Sequence, residues 1–379
     1  MKRMLPLLFL TSAVSAPVQA SGDTGSFSQA YADYQHALQE GAPEAVLDAA
    51  LRALTLGQQH FGADSQNTIN LYINLASAQV EAEQPFEAMT TLLGVLDMLE
   101  QQDSPSEQAL YETKVRFLTA GQSAYKWARN RAKFTASQER RIQRYVKDVV
   151  RQTPARFETA NADQAGMLYD ASMSLMSYIV QPDLAKDYVA LLAQSKDYFL
   201  QHFGDNDIRA IEVTFVQGKM LEALDKRNDA ITSFEWVVGQ ITEQLNVSHP
   251  YELAARARLV NAYESEGQSD RATSHCVAIG EMTPWQDDIE QIPLYRLPPD
   301  YPVSKARQRK EGWVKVAFIV SPYGFVEDVE VLASEGGKAF EKEAVKAVEK
   351  WRYAPKFVDG HAVEAEQRVQ LDFAMSRSR

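Results

Sequence analysis

The stretch QHFGADS at Gln59–Ser65 returns as QHFGDND at Gln201–Asp207. Gly62 precedes Ala76 by 14, and Gly204 precedes Gly218 by the same 14. Ala76 precedes Ala88 by 12, as Gly218 precedes Ala230. A constant offset of 142 therefore relates two segments that share one internal phase. A tighter period of 42 joins Phe203 to Leu245, Gly218 to Val260, Ala230 to Ala272 and Phe234 to Cys276. Fixed-period repetition constrains a chain to units that each bury an apolar face against the next. From Phe27 to Met282 apolar residues recur at three- and four-residue steps, with few prolines and glycines. The unit therefore reads helix, short turn, helix.

The segments NLASAQVEAEQPFEAMTTLLGVLDMLE (Asn74–Glu100) and QGKMLEALDKRNDAITSFEWVVGQI (Gln217–Ile241) resemble tetratricopeptide repeats. Small residues stand where paired helices approach: Ala76 with Ala88, Gly218 with Ala230. Leu92 and Phe234 fill the next layer, and Cys276 takes the same place one repeat later. NVSHPYELAARARLVNAYE resembles the variety with a longer linker. A period of 42 against the usual 34 or so fits longer helices. Three units match, and the helices between Asp103 and Leu200 show no clean phase. The resemblance implies an all-α solenoid whose concave face holds a peptide or second protein, or alternatively a rigid spacer.

The N-terminal MKRMLPLLFLTSAVSAPVQA has two basic residues, an apolar run and small residues ending Val18-Gln19-Ala20. It reads as a signal peptide over 1–20, cleaved before Ser21, and places the protein in the periplasm. The minority reading is an inner-membrane anchor through the uncleaved signal. A net charge of −12 argues against nucleic acid as a partner. One cysteine, Cys276, allows no internal disulfide. The pair His275-Cys276 raises a nucleophile reading, but its repeat position favours a buried thiol. The histidines show no metal-ligand spacing, and no phosphate loop or GxSxG occurs. The expectation is a protein that is not an enzyme and needs no metal or cofactor.

Near Pro284 the pattern changes. TPWQDDIEQIPLYRLPPDYP carries five prolines and reads as a linker over 284–300 or an extended arm. Residues 291–379 hold 15 Lys and Arg against 13 Asp and Glu, whereas the rest holds 24 against 38. GWVKVAFIV (Gly312–Val320) reads as a strand, SPYG as a turn and FVEDVEVLAS as the returning strand. Phe340, Ala344, Ala347, Val348 and Trp351 mark one helix stripe, and RVQLDFAM (Arg368–Met375) alternates as a last strand. The order is β-β-α-β, which predicts a small α+β domain with sheet order 2-1-3 and an exposed edge on strand three. In WRYAP (Trp351–Pro355), Trp351 plugs the core at the helix end, Pro355 stops the helix, and Arg352 faces the surface or a partner.

Tyr301-Pro302, Ala306, Glu311-Gly312, Pro322, Gly324, Val331, Phe340, Ala344 and WRYAP come in the order of the TonB energy-transducer C-terminal domain, which residues 301–379 resemble. The repeat domain spans 21–283. The resemblance implies that an extended segment of an outer-membrane TonB-dependent receptor adds to the last strand, at Arg368, Val369, Gln370, Leu371, Asp372 and Phe373. Tyr301 and Pro302 form the second contact, and Trp351, Pro355, Gly312 and Gly324 are structural. Its other implied partner is the ExbB/ExbD motor, reached indirectly. The exposed edge strand itself also leaves open a strand-paired second copy. The spanning helix with its histidine and the Pro/Lys/Glu-rich spacer of such transducers are absent from this sequence. The expected function is TonB-dependent transmembrane transport or an accessory role in it. The alternative is a periplasmic envelope scaffold with no energy-transducing role.

Overall fold

A computed structural model describes residues 24–129, 134–161, 164–179, 181–244, 249–283 and 291–375. The signal-peptide reading and most of the first half of the expected linker lie outside these residues. The chain divides into two compact units, residues 1–216 and 217–379.

The first unit holds α1 (Thr24–Glu40), α2 (Pro43–Phe61), α3 (Gln66–Glu81), α4 (Pro85–Glu100), α5 (Glu107–Arg129), α6 (Ala136–Phe157), α7 (Ala165–Met173) and α8 (Pro182–Phe203). Each of the first four packs on its successor, and α6 packs on α7 and α8. The division point falls in α9 (Ile208–Ala223). The second unit continues with α10 (Arg227–Gln244), α11 (Pro250–Ser265) and α12 (Ser269–Met282).

Backbone geometry explains the repeat. Gly41, Glu83, Asp225 and Gly267 follow one another at sequence offsets of 42, 142 and 42, and all sit at φ between 57° and 73°. Each reverses the chain between two helices. At three of the turns the next amide reaches back into the closing helix: Gln84 N to Gln79 O at 2.8 Å, Lys226 N to Leu221 O at 2.9 Å, and Gln268 N to Tyr263 O at 2.8 Å. This bond satisfies a carbonyl that the helix end leaves open. The α1–α2 pair is thus a further unit, in addition to the three legible in sequence. The repeated QHFG closes α2 and α8, with Gly62 and Gly204 at φ 87° and 92°. Leu92, Phe234 and Cys276 are all buried, and a Cβ on Gly218 would lie 2.7 Å from the Phe234 ring. Between the repeats, α5, α6 and α8 run 22 or 23 residues while α7 runs nine, so the phase is lost there.

The rest of the second unit holds β1 (Pro293–Tyr295), α13 (Val303–Arg307), β2 (Gly312–Val320), β3 (Val326–Glu335), α14 (Lys338–Val348), β4 (Arg352–Tyr353), β5 (Lys356–Val358), β6 (His361–Val363) and β7 (Ala365–Phe373). The main sheet has order β3-β2-β7, with β2 antiparallel to both neighbours. Val314, Val316, Phe318 and Val320 of β2 turn inward against Phe340, Ala344 and Val348 of α14, and Trp351, Leu371 and Phe373 complete the core. The fold is therefore an all-α repeat array followed by a small β-β-α-β domain.

Three local expectations need correction. Residues 293–295 are a strand paired with Arg352–Tyr353, not free linker. The last helix ends at Val348, so Pro355 does not stop it. Trp351–Pro355 are instead all buried, with Arg352 and Tyr353 drawn into the pairing with β1. The last strand is also displaced from its expected range, starting at Ala365 and ending at Phe373.

Candidate partner-binding edge

Strand β7 pairs with β2 over nine residues without a register shift, from Gly312↔Phe373 to Val320↔Ala365. Among the described residues no strand pairs with its other side. The pleat divides the predicted contact residues. Val369, Leu371 and Phe373 turn toward the core, with Leu371 and Phe373 buried. Arg368, Gln370 and Asp372 are exposed. Arg368 pairs with Glu366 at 2.7 Å, and Gln370 Nε2 donates to Asp372 Oδ1 at 2.8 Å. The three inward residues offer a neighbouring strand backbone groups only, whereas the three outward ones also offer side chains.

The opposite edge, β3, is built differently. Its register with β2 shifts twice, and Asp328 sits at φ 52°. It also carries Glu327, Glu330 and Glu335. Bulges and like charges blunt an edge against pairing, so β7 is the edge open to a straight incoming strand.

Tyr301 is fixed from within the domain. Its ring meets Phe340 and Phe373 edge-on at 5.6 and 6.0 Å, and its hydroxyl donates to Lys310 O at 2.6 Å. Pro302 caps the short α13. The structural residues are tightly placed. A Cβ on Gly312 would lie 2.2 Å from Glu335 O. Gly324 holds φ 79° and donates to Ser321 O, closing the β2–β3 turn. Trp351 Nε1 donates to Leu297 O at 2.8 Å.

Arg352 departs from expectation. It is 2% exposed and faces the last helix pair, not solvent. It forms an ion pair with Glu264 of α11. Its Nη2 donates to Thr273 Oγ1 at 2.8 Å and Tyr323 O at 3.0 Å, its Nε to Gly324 O at 3.2 Å, and its guanidinium lies 3.7 Å from the Phe325 ring centre. Cys276 Sγ lies 3.8 Å from Nη2. Burial pushes the Cys276 thiol up to about 12, against the pull of Arg352, so the thiolate is disfavoured there. On the same face a Cβ on Gly280 would lie 2.4 Å from Pro355 O. The WRYAP residues thus pack the small domain onto α12. Sequence reasoning missed Glu264 because it stands far from its partner along the chain, with no local pattern to join them.

No helix among the described residues is long and apolar enough to cross a membrane. Residues 298–375 match the family model described as Gram-negative bacterial TonB protein C-terminal. Protein TonB of Pseudomonas aeruginosa is 34% identical over 87 residues, covering 23% of this chain and 25% of that protein. Protein TonB of Escherichia coli is 42% identical over 62 residues, covering 16% and 26%. The chain thus spans about a quarter of the length of these curated relatives. A crystal structure of a Podosopora anserina putative kinesin light chain with nearly identical TPR-like repeats aligns with 68% of this chain and 93% of its own, at 13% identity and a TM-score of 0.31.

Proposed function

We infer the function from one premise: residues 298–375 are a TonB C-terminal domain, and tetratricopeptide-like repeats precede it. The protein acts in the bacterial envelope as a non-enzymatic binding protein of TonB-dependent transport. An extended segment of an outer-membrane receptor adds to the free side of β7, in register with its backbone, and is held by main-chain hydrogen bonds. Arg368, Gln370 and Asp372 select among segments. The helical repeats hold a second protein, and any link to the ExbB/ExbD motor runs through it.

The observation that carries this reading is the contrast of edges. β7 is straight and of mixed charge, whereas β3 is bulged and acidic. A photo-crosslinking residue at Gln370 in living cells tests it. Capture of an outer-membrane receptor, with loss of the adduct when the motor is removed, is expected. Capture of a periplasmic or inner-membrane protein instead supports the second reading, an envelope scaffold. The packing of the last repeat against the WRYAP residues favours that second reading, because it ties the domain to a binding array.

A further inference from the structure

Charge is strongly segregated within the acidic helical part. Residues 114–156 carry 12 Lys and Arg against two Asp and Glu, in a chain of net charge −12. Within this stretch α6 has six basic residues and two acidic ones. Asp148, one of the two acids, is already paired with Lys114 at 2.7 Å. Arg141 is held by Asp97, and Arg156 stacks on Tyr111 at 3.7 Å. Arg144 reaches Glu100 only at 3.4 Å, with its side chain 58% exposed. Among the described residues Lys147 and Arg151 form no ion pair, and both are exposed.

Arg144, Lys147 and Arg151 line one wall of a groove of about 490 Å³ between α6 and the start of α8. Asp183 and Asp187 stand on the other wall. Along α6 the three cations rise by about 4.5 and 6 Å. Alternate side chains of an extended peptide are about 6.6 Å apart, so acidic groups at every second position meet successive cations. The opposite wall repels acids, so the occupant carries its carboxylates on one side. A membrane surface fits less well. The groove is concave, and α6 exposes no large apolar side chain, while the only one on α8 is Phe203 at its far end.

We propose that the α6–α8 groove docks an extended acidic segment of a partner protein. This names the site and the chemistry for the second protein that the repeats are read as holding, and it is separate from the β7 edge.

The test is a fluorescence anisotropy titration of the full chain with a short labelled peptide of alternating glutamate and serine. Binding that weakens with added salt and is absent for a glutamine–serine peptide is expected. The Lys147→Glu/Arg151→Glu variant is expected to lose roughly tenfold or more in affinity. Lys338→Glu/Lys342→Glu on α14 makes the same change in net charge and is expected to leave binding intact. Equal affinity in the α6 variant, equal loss in the α14 variant, or equal binding of the glutamine–serine peptide overturns the proposal. So does binding to phosphatidylglycerol vesicles without binding to the peptide, or a dimer in the parent that the α6 variant dissolves without any peptide binding. Loss of peptide binding in a β7 variant alone would move the site to the sheet and overturn the groove while sparing the edge reading.

Discussion

Every guanidinium nitrogen of Arg352 meets a partner within its own unit, and the Glu264 side chain it faces is only 9% exposed. Removing one member of a buried pair leaves the other uncompensated, at a cost of about 3–5 kcal/mol. Arg352→Met is therefore expected to lower the stability of the second unit by that amount in a urea titration. Arg352→Lys is expected to recover little, because one ammonium cannot reach the positions held by a planar fork. Pairing Arg352→Met with Glu264→Gln is expected to restore much of the loss. A urea midpoint that does not move in Arg352→Met would show that the pair contributes nothing. Two other residues set the response to pH, with opposite signs. Burial, helped by Arg256, holds His275 down at about 4. The unfolded chain then binds a proton that the folded one refuses, so stability present above about 6.5 is lost as pH falls toward 4, up to about 3 kcal/mol. Burial pushes Asp170 up to about 6, against Arg116. There the folded state binds the extra proton, and stability rises as pH falls through 6. His275→Gln is expected to flatten the acid loss of the second unit, and Asp170→Asn to remove the acid gain of the first. Melting curves between pH 7 and 4 that keep the parent slope in both variants would contradict these assignments.

At the scale of elements, the turn between paired helices is the most informative. Glu83 and Asp225 occupy the left-handed conformation that Gly41 and Gly267 occupy in the sister units. A residue with a side chain is strained there by roughly 1 kcal/mol, so Glu83→Gly and Asp225→Gly are each expected to raise the melting temperature slightly. A fall would mean that the side chains do more than turn the chain. The β7 edge yields a paired test. Successive strand residues aim their amides to opposite sides, so of Val369→Pro and Gln370→Pro one breaks the ladder to β2 and the other removes a donor from the free edge. One variant is expected to lose stability, and the other to keep it and lose receptor-peptide binding in a titration. Two folded variants that both bind would sink edge addition. The elements were legible in the sequence where local chemistry decides them. Alternation in Gly312–Val320 marks the central strand, and QHFG marks helix ends because glycine is needed at both. The α1–α2 unit went unread because its turn glycine, Gly41, recurs in only one of the other units, at Gly267, while Glu83 and Asp225 hold the same place in the rest. Strand β4 went unread because Arg352 and Tyr353 are strand only by virtue of β1, which lies upstream of the whole β2–β3 hairpin and α14.

At the scale of the whole molecule, charge and packing assign different tasks to different parts. The cations of α6 and the open edge of β7 are separate surfaces with separate chemistries, one matched to carboxylates and the other to backbone. The second unit is one body by packing: α12 presents Thr273, Cys276 and Gly280 on one face, and Arg352, Gly324 and Pro355 fill it. A terminal repeat normally needs a polar outer face or a cap, and here the small domain covers it. The family pattern sets residues 298–375 apart, yet the buried WRYAP cluster places the boundary of the folding unit further upstream. The fragment 217–379 is therefore expected to melt in a single transition. The fragment 291–379 lacks Glu264 and Thr273 and exposes Arg352 and Pro355, so it is expected to melt at lower temperature, with Arg352→Met now harmless. Equal melting of the two fragments would mean that the domain is self-sufficient and that α12 is only its neighbour. The Arg352→Met comparison in both fragments separates these outcomes, because the substitution is costly only where Glu264 is present and buried against it.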